Sequence, residues 1–260
     1  MPDKSFYLNV YSRYLDVRWE IPPISDFSFI DYDHHELPSG GNIPGRWIIF
    51  EPMAEDFTRE LINAINTFSY RMHCFNIWRD IFNNCNDSAE EEALLMEFIE
   101  PMAFFCLNQP YSLHSKFIHA TTHLLHLSNS LKSSSWNERL LIDDKHIKYD
   151  MLKREGRGWD SFPCFCKALG GINPKVFRNE TYDFRNKSHH AIPPAFEVGI
   201  TSPIRLIETN DGKVSYQIGG TAPLKVNPVF DQLHLQQQAC KNTFKLYWEL
   251  IEEQLELWKG

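Results

Sequence analysis

Phe57, Leu61, Ile65, Phe68, Met72, Phe75 and Phe82 recur at intervals of three, four or seven residues between positions 55 and 84. A backbone that turns once every 3.6 residues brings all seven onto one face, so this stretch reads as a long amphipathic helix. A helix of roughly eight turns with a single apolar stripe has to be covered by other helices. The same period returns twice. Leu113, Phe117, Ala120, Leu124, Leu127 and Leu131 mark a second stripe, and Phe230, Leu233, Cys240, Phe244, Tyr247, Ile251 and Trp258 a third. The chain therefore reads as a mainly α protein of long antiparallel helices. Its 260 residues are 43% hydrophobic and 14% aromatic, enough apolar surface to build such a core and to exclude a disordered chain.

Breakers divide the remainder. Residues 1–50 carry Pro22-Pro23, Gly40-Gly41 and Pro44-Gly45 and read as an irregular N-terminal arm. One or two short strands are expected near 24–32, with the arm packed on a bundle domain of residues 51–260. Ser88 reads as an N-cap, and Glu91 three residues later completes a capping box. The helix that follows, 89–107, bends at Pro101, and Pro110 breaks the chain again. Further helices are expected over 137–155, closed by Gly156, and over 174–190, ended by Pro193-Pro194. Alternating apolar residues on either side of Asp211-Gly212 predict a β-hairpin at about 200–226, before the last helix.

Lys and Arg number 26 against 34 Asp and Glu, a net charge of −8, so no global basic field attracts nucleic acid. Any RNA contact has to come from a local patch. Lys145, Lys148, Lys153, Arg154 and Arg157 form the best such patch, although a basic run of this kind is commonly a solvated helix face. The six cysteines are scattered and read as reduced thiols of a cytoplasmic protein. No apolar run reaches the roughly 18 residues of a membrane span, and the N-terminus has no apolar signal core.

The chemistry concentrates in residues 182–190, Tyr-Asp-Phe-Arg-Asn-Lys-Ser-His-His. Arg185, Asn186 and His190 have the form R-N-x-x-x-H. In a helical bundle this resembles the signature of the HEPN superfamily. The resemblance implies a small bundle that dimerises, and many members are metal-independent endoribonucleases of toxin–antitoxin, antiphage and CRISPR systems. It also implies that Arg185 and His190 act together near a dimer axis, on RNA and without a cofactor. Some toxin branches carry a Tyr two residues after the His, where this chain has Ile192.

These residue types suit RNA cleavage by its own 2′-hydroxyl. Imidazole titrates near neutral pH and can accept or donate the proton. Guanidinium offers a permanent planar charge to the phosphorane. Asn186 can orient the imidazole or bind a phosphate oxygen, and Lys187 adds a cation. On a helix, residues five apart point about 140° apart, so Arg185 shares a face with His189, and Asn186 with His190. His189 is accordingly a rival to His190.

Two other readings stand beside this one. The first is a HEPN-like module that binds RNA or a protein partner without cleaving. The second is a metal-dependent helical-bundle enzyme using His119, His123 and His126, which fall at i, i+4 and i+7. A polar seam hydrogen-bonded across helices accounts for the same stripe. Tyr247, Trp248 and Trp258 look like an exposed aromatic surface for a partner.

Overall fold

The structure is a computed structural model that describes residues 4–20, 29–32, 48–132, 147–208 and 212–259. It is a helical bundle with a two-stranded antiparallel hairpin before the last long helix. The helices are α1 (Lys4–Glu20), α2 (Phe50–Asn83), α3 (Ser88–Leu94), α4 (Glu100–Lys132), α5 (Tyr149–Glu155), α6 (Phe162–Leu169), α7 (Lys175–Glu180), α8 (Phe184–His190) and α9 (Val226–Lys259). A π-helical turn, Leu95–Ile99, joins α3 to α4. Strands β1 (Ile204–Glu208) and β2 (Val214–Ile218) pair in register, Leu206 opposite Tyr216.

The chain forms two compact units, one of residues 1–27, 70–108 and 174–235, the other of 28–69, 109–173 and 236–260. In the first, α1 is the main departure from the expected irregular arm. Phe6, Val10 and Tyr14 fall at i, i+4 and i+8 and are buried. Tyr14 stacks on Trp78 at 4.5 Å, and Trp78 on Phe98 at 4.0 Å. That aromatic burial outweighs the weak helix propensity of this stretch. Among the described residues of 24–32 there is no strand; the rest of that range lies outside them.

In the second unit, Phe117 meets Phe165 and Tyr247 edge-on at 6.4 and 6.1 Å. Tyr247 is fully buried, and its hydroxyl pairs with Thr58 Oγ1 at 3.3 Å, so it is a core residue and not part of an exposed partner surface. Glu253 of α9 accepts hydrogen bonds from the backbone N–H groups of Asp160 and Ser161, at 2.7 and 2.8 Å, and so ties the turn ahead of α6 to α9. Gly156 closes α5 as expected, with the ring of Phe162 directly over its Cα. A methyl group there collides with that buried ring. Gly156→Ala should cost about 1–3 kcal/mol, seen as a lower urea midpoint with an unchanged slope.

Several expected boundaries move. Asp87, not Ser88, caps α3: its carboxylate accepts from the N–H groups of Ala89 and Glu90 at 2.9 and 3.0 Å. Pro101 produces the π turn. A proline cannot donate to the carbonyl four residues back, and the turn is widened instead, with Glu100 N–H bonded to Leu95 C=O. Pro110 does not break the chain; α4 runs through it. Burial of Ala103, Cys106, Leu107, Leu113 and Phe117 along that helix offsets one missing hydrogen bond. The expected 174–190 helix is two helices, α7 and α8. Most of the expected 137–155 helix and the 209–211 turn lie outside the described residues.

Candidate functional site

The break between α7 and α8 sets the orientation of the R-N-x-x-x-H segment. Tyr182 and Asp183 both have positive φ, 52° and 54°. Neither is glycine, and left-handed backbone costs a non-glycine residue about 1–2 kcal/mol. Two such residues in succession end α7 and restart the helix in a new direction. The turn is held from within: Thr181 Oγ1 donates to Phe177 C=O at 2.8 Å, and Phe184 N–H to Thr181 C=O at 3.0 Å. Tyr182→Gly should relieve this strain and raise stability by about 1 kcal/mol, visible as a Tm increase of about 2–4 °C.

The new direction buries Phe184 against Phe104, ring centroids 5.8 Å apart, and Phe196, 5.7 Å. Asn186, His189 and His190 are exposed, and Arg185 and Lys187 half-buried. The two imidazoles lie 6.3 Å apart. His189 Nε2 sits 3.2 Å from Asn108 Oδ1 of α4, which defines its orientation. Ser188 Oγ donates to Arg185 C=O at 2.9 Å. The helix ends at His190, ahead of the double proline as expected.

α4 contributes a second row. Glu100, Phe104 and Asn108 follow at i, i+4 and i+8, so they share one face. Phe104 meets Phe184, Asn108 meets His189, and Glu100 lies in a groove beside them. Met96, Phe104, Phe184, Ile192, Pro193 and Phe196 line this groove, whose volume is about 570 Å³. Burial raises the Glu100 carboxyl above the ordinary carboxylate range. No described residue gives it a hydrogen bond or ion pair. Sequence reasoning missed this row, although its four-residue spacing was there to be read.

The histidine stripe packs on an aromatic ring at one end and on a carboxylate at the other. Among the described residues no group of three His, Cys, Asp or Glu side chains is placed to hold a metal ion. His119 and His123 pack on Phe57 at 5.6 and 5.7 Å, and on each other at 4.6 Å. His126 Nδ1 faces Glu155 Oε2 at 3.4 Å. Asn129 Nδ2 donates to the same Oε2 at 3.2 Å, and Arg154 Nη2 to Oε1 at 2.9 Å. These donors, the His126 N–H foremost, hold the buried Glu155 carboxyl down at about 2, against the opposing effect of burial. His126 thus has an acidic partner, Glu155, that sequence reasoning overlooked.

The expected basic patch is only partly in view. Lys145 lies outside the described residues. Lys148 is exposed, Lys153 Nζ sits 4.6 Å over the Tyr149 ring, and Arg154 is bound to Glu155. Lys187 approaches the Tyr182 ring at 6.0 Å. All six cysteines are free thiols. No helix among the described residues is long and apolar enough to cross a membrane. No protein-family model, curated protein or solved structure matches the chain.

Proposed function

We propose that the chain is a metal-independent endoribonuclease of HEPN type, working as a homodimer. The observation that carries this is the placement of Asn186, His189 and His190 on the solvent-facing side of one short helix, with Arg185 half-buried beside them. The 2′-hydroxyl oxygen attacks phosphorus as an imidazole takes its proton, and the P–O5′ bond breaks as a second imidazole protonates the departing oxygen. His189 and His190 are the two imidazoles, and Arg185 faces the charge that builds on the phosphorane. The products are a 2′,3′-cyclic phosphate and a 5′-hydroxyl. Backbone strain at Tyr182 and Asp183 supports the reading, because strain of this kind collects where a precise orientation is needed.

The second reading is a module that binds RNA or protein without cutting, and within it the charge distribution favours a protein partner. Arg154 and Lys153 are engaged within the chain, and the whole chain is acidic. One experiment separates the two. Full-length protein is incubated with single-stranded RNA in excess EDTA, and the ends of any fragments are analysed. Cyclic-phosphate ends support the nuclease; a folded dimer that retains RNA but leaves it intact supports the binding module.

A further inference from the structure

We propose that the groove beside α8 is a binding site for a small organic monocation, a protonated amine carried on an aromatic or branched aliphatic body. Its walls are apolar: Met96, Phe104 and Ile192 are 61%, 47% and 68% exposed, above the buried Phe184 and Phe196. A volume of about 570 Å³ matches a drug-sized ligand. Among the described residues that line it, Glu100 is the only charged one.

That single charge decides the ligand's chemistry. An unpaired carboxylate in apolar surroundings is costly, and a ligand ammonium removes the cost by a charge-assisted hydrogen bond. Phe104, one turn further along α4, lines the same groove and supplies an aromatic ring for the cation or the apolar body. An anionic ligand would meet repulsion, and a neutral apolar one would bury the carboxylate further without a partner. A divalent metal needs more donors than one carboxylate and the Thr201 hydroxyl supply. None of Arg185, Asn186, His189 and His190 lines the groove, so the inference stands apart from the nuclease reading.

The test uses the full chain and three indole probes that differ at one end: tryptamine, the neutral tryptophol and the anionic indole-3-propionate. Methyl labelling of the methionines reports the location, with Met96 as the groove's own reporter. Tryptamine should bind with a Kd below about 1 mM and shift the Met96 methyl signal. Tryptophol should bind about tenfold more weakly or worse, and indole-3-propionate not at all. Glu100→Gln should erase the difference between tryptamine and tryptophol. Because that variant loses an unpaired half-buried charge, it should melt no lower than the parent chain. Three outcomes each overturn the proposal: no tryptamine binding at that concentration, equal binding of the amine and the alcohol by the parent chain, or a shift at other methionines with Met96 unmoved.

Discussion

Arg185→Ala and His190→Ala should each reduce RNA cleavage in excess EDTA by about 10²-fold or more, with melting temperatures within a degree or two of the parent. The size follows from the chemistry. Proton transfer by a positioned imidazole is worth about 10²–10⁴-fold, and a charged donor aimed at a developing anion a similar factor. The small effect on stability follows from exposure, since His190 buries little and Arg185 only half of itself. His189→Ala resolves the rivalry between the neighbouring histidines. If both imidazoles move protons, it matches His190→Ala in severity. Asn108→Ala then produces a milder defect with a shifted pH profile, because Asn108 holds His189 without touching the phosphate. Mixing Arg185→Ala with His190→Ala chains should restore part of the activity if each site draws on both protomers. Full activity in either single variant removes the proposed mechanism.

The second large effect belongs to Glu155. Its carboxyl is held at about 2 against an ordinary 4.5, by His126 first and then Arg154 and Asn129. The folded chain therefore binds fewer protons than the unfolded chain between those values. The stability this group contributes is complete above about pH 4.5 and falls away as pH drops toward 2. A shift of that size corresponds to about 3 kcal/mol, and Glu155 is buried enough to keep most of it. Glu155→Gln should accordingly lower Tm at pH 7 by roughly 5–10 °C. The gap between the two proteins should close as the pH is lowered to 3 and below. Urea titrations at pH 7, 4 and 3 measure it, and a gap that stays constant with pH would show that the side chain acts through packing alone.

The long helices were legible because burial imposes a period. The stripes of Phe57 to Phe82 and of Phe230 to Ile251 lie on α2 and α9. The hairpin was legible because alternating apolar runs flank an Asp-Gly pair. Prolines misled in both directions. Pro110 is tolerated inside α4 because packing along that helix outweighs one lost donor, and the breakers at Pro22 and Pro44 drew attention from the Phe6, Val10 and Tyr14 face of α1. The turn at Tyr182 and Asp183 left little mark: Asp is one of the few non-glycine residues that left-handed backbone accepts, but Tyr is not. Residues 185–190 could be chosen by type and spacing. Their neighbours Glu100 and Asn108, some eighty residues away in sequence, come beside them only through tertiary packing. Glu155 was hidden for the same reason, set among cations whose charge was easier to read than its own.

The π turn at Leu95–Ile99 has a consequence for how this region tolerates change in length. It holds one residue more than the α turn it replaces. The widened turn absorbs that residue, so loss of a single codon there would restore an ordinary turn and leave α4 at nearly the same bearing. Glu100, Phe104 and Asn108 would keep their places beside the groove and His189, and the cost would fall on Pro101, whose ring would then press on the carbonyl one turn back. The surplus residue is slack that the region can lose without turning the row.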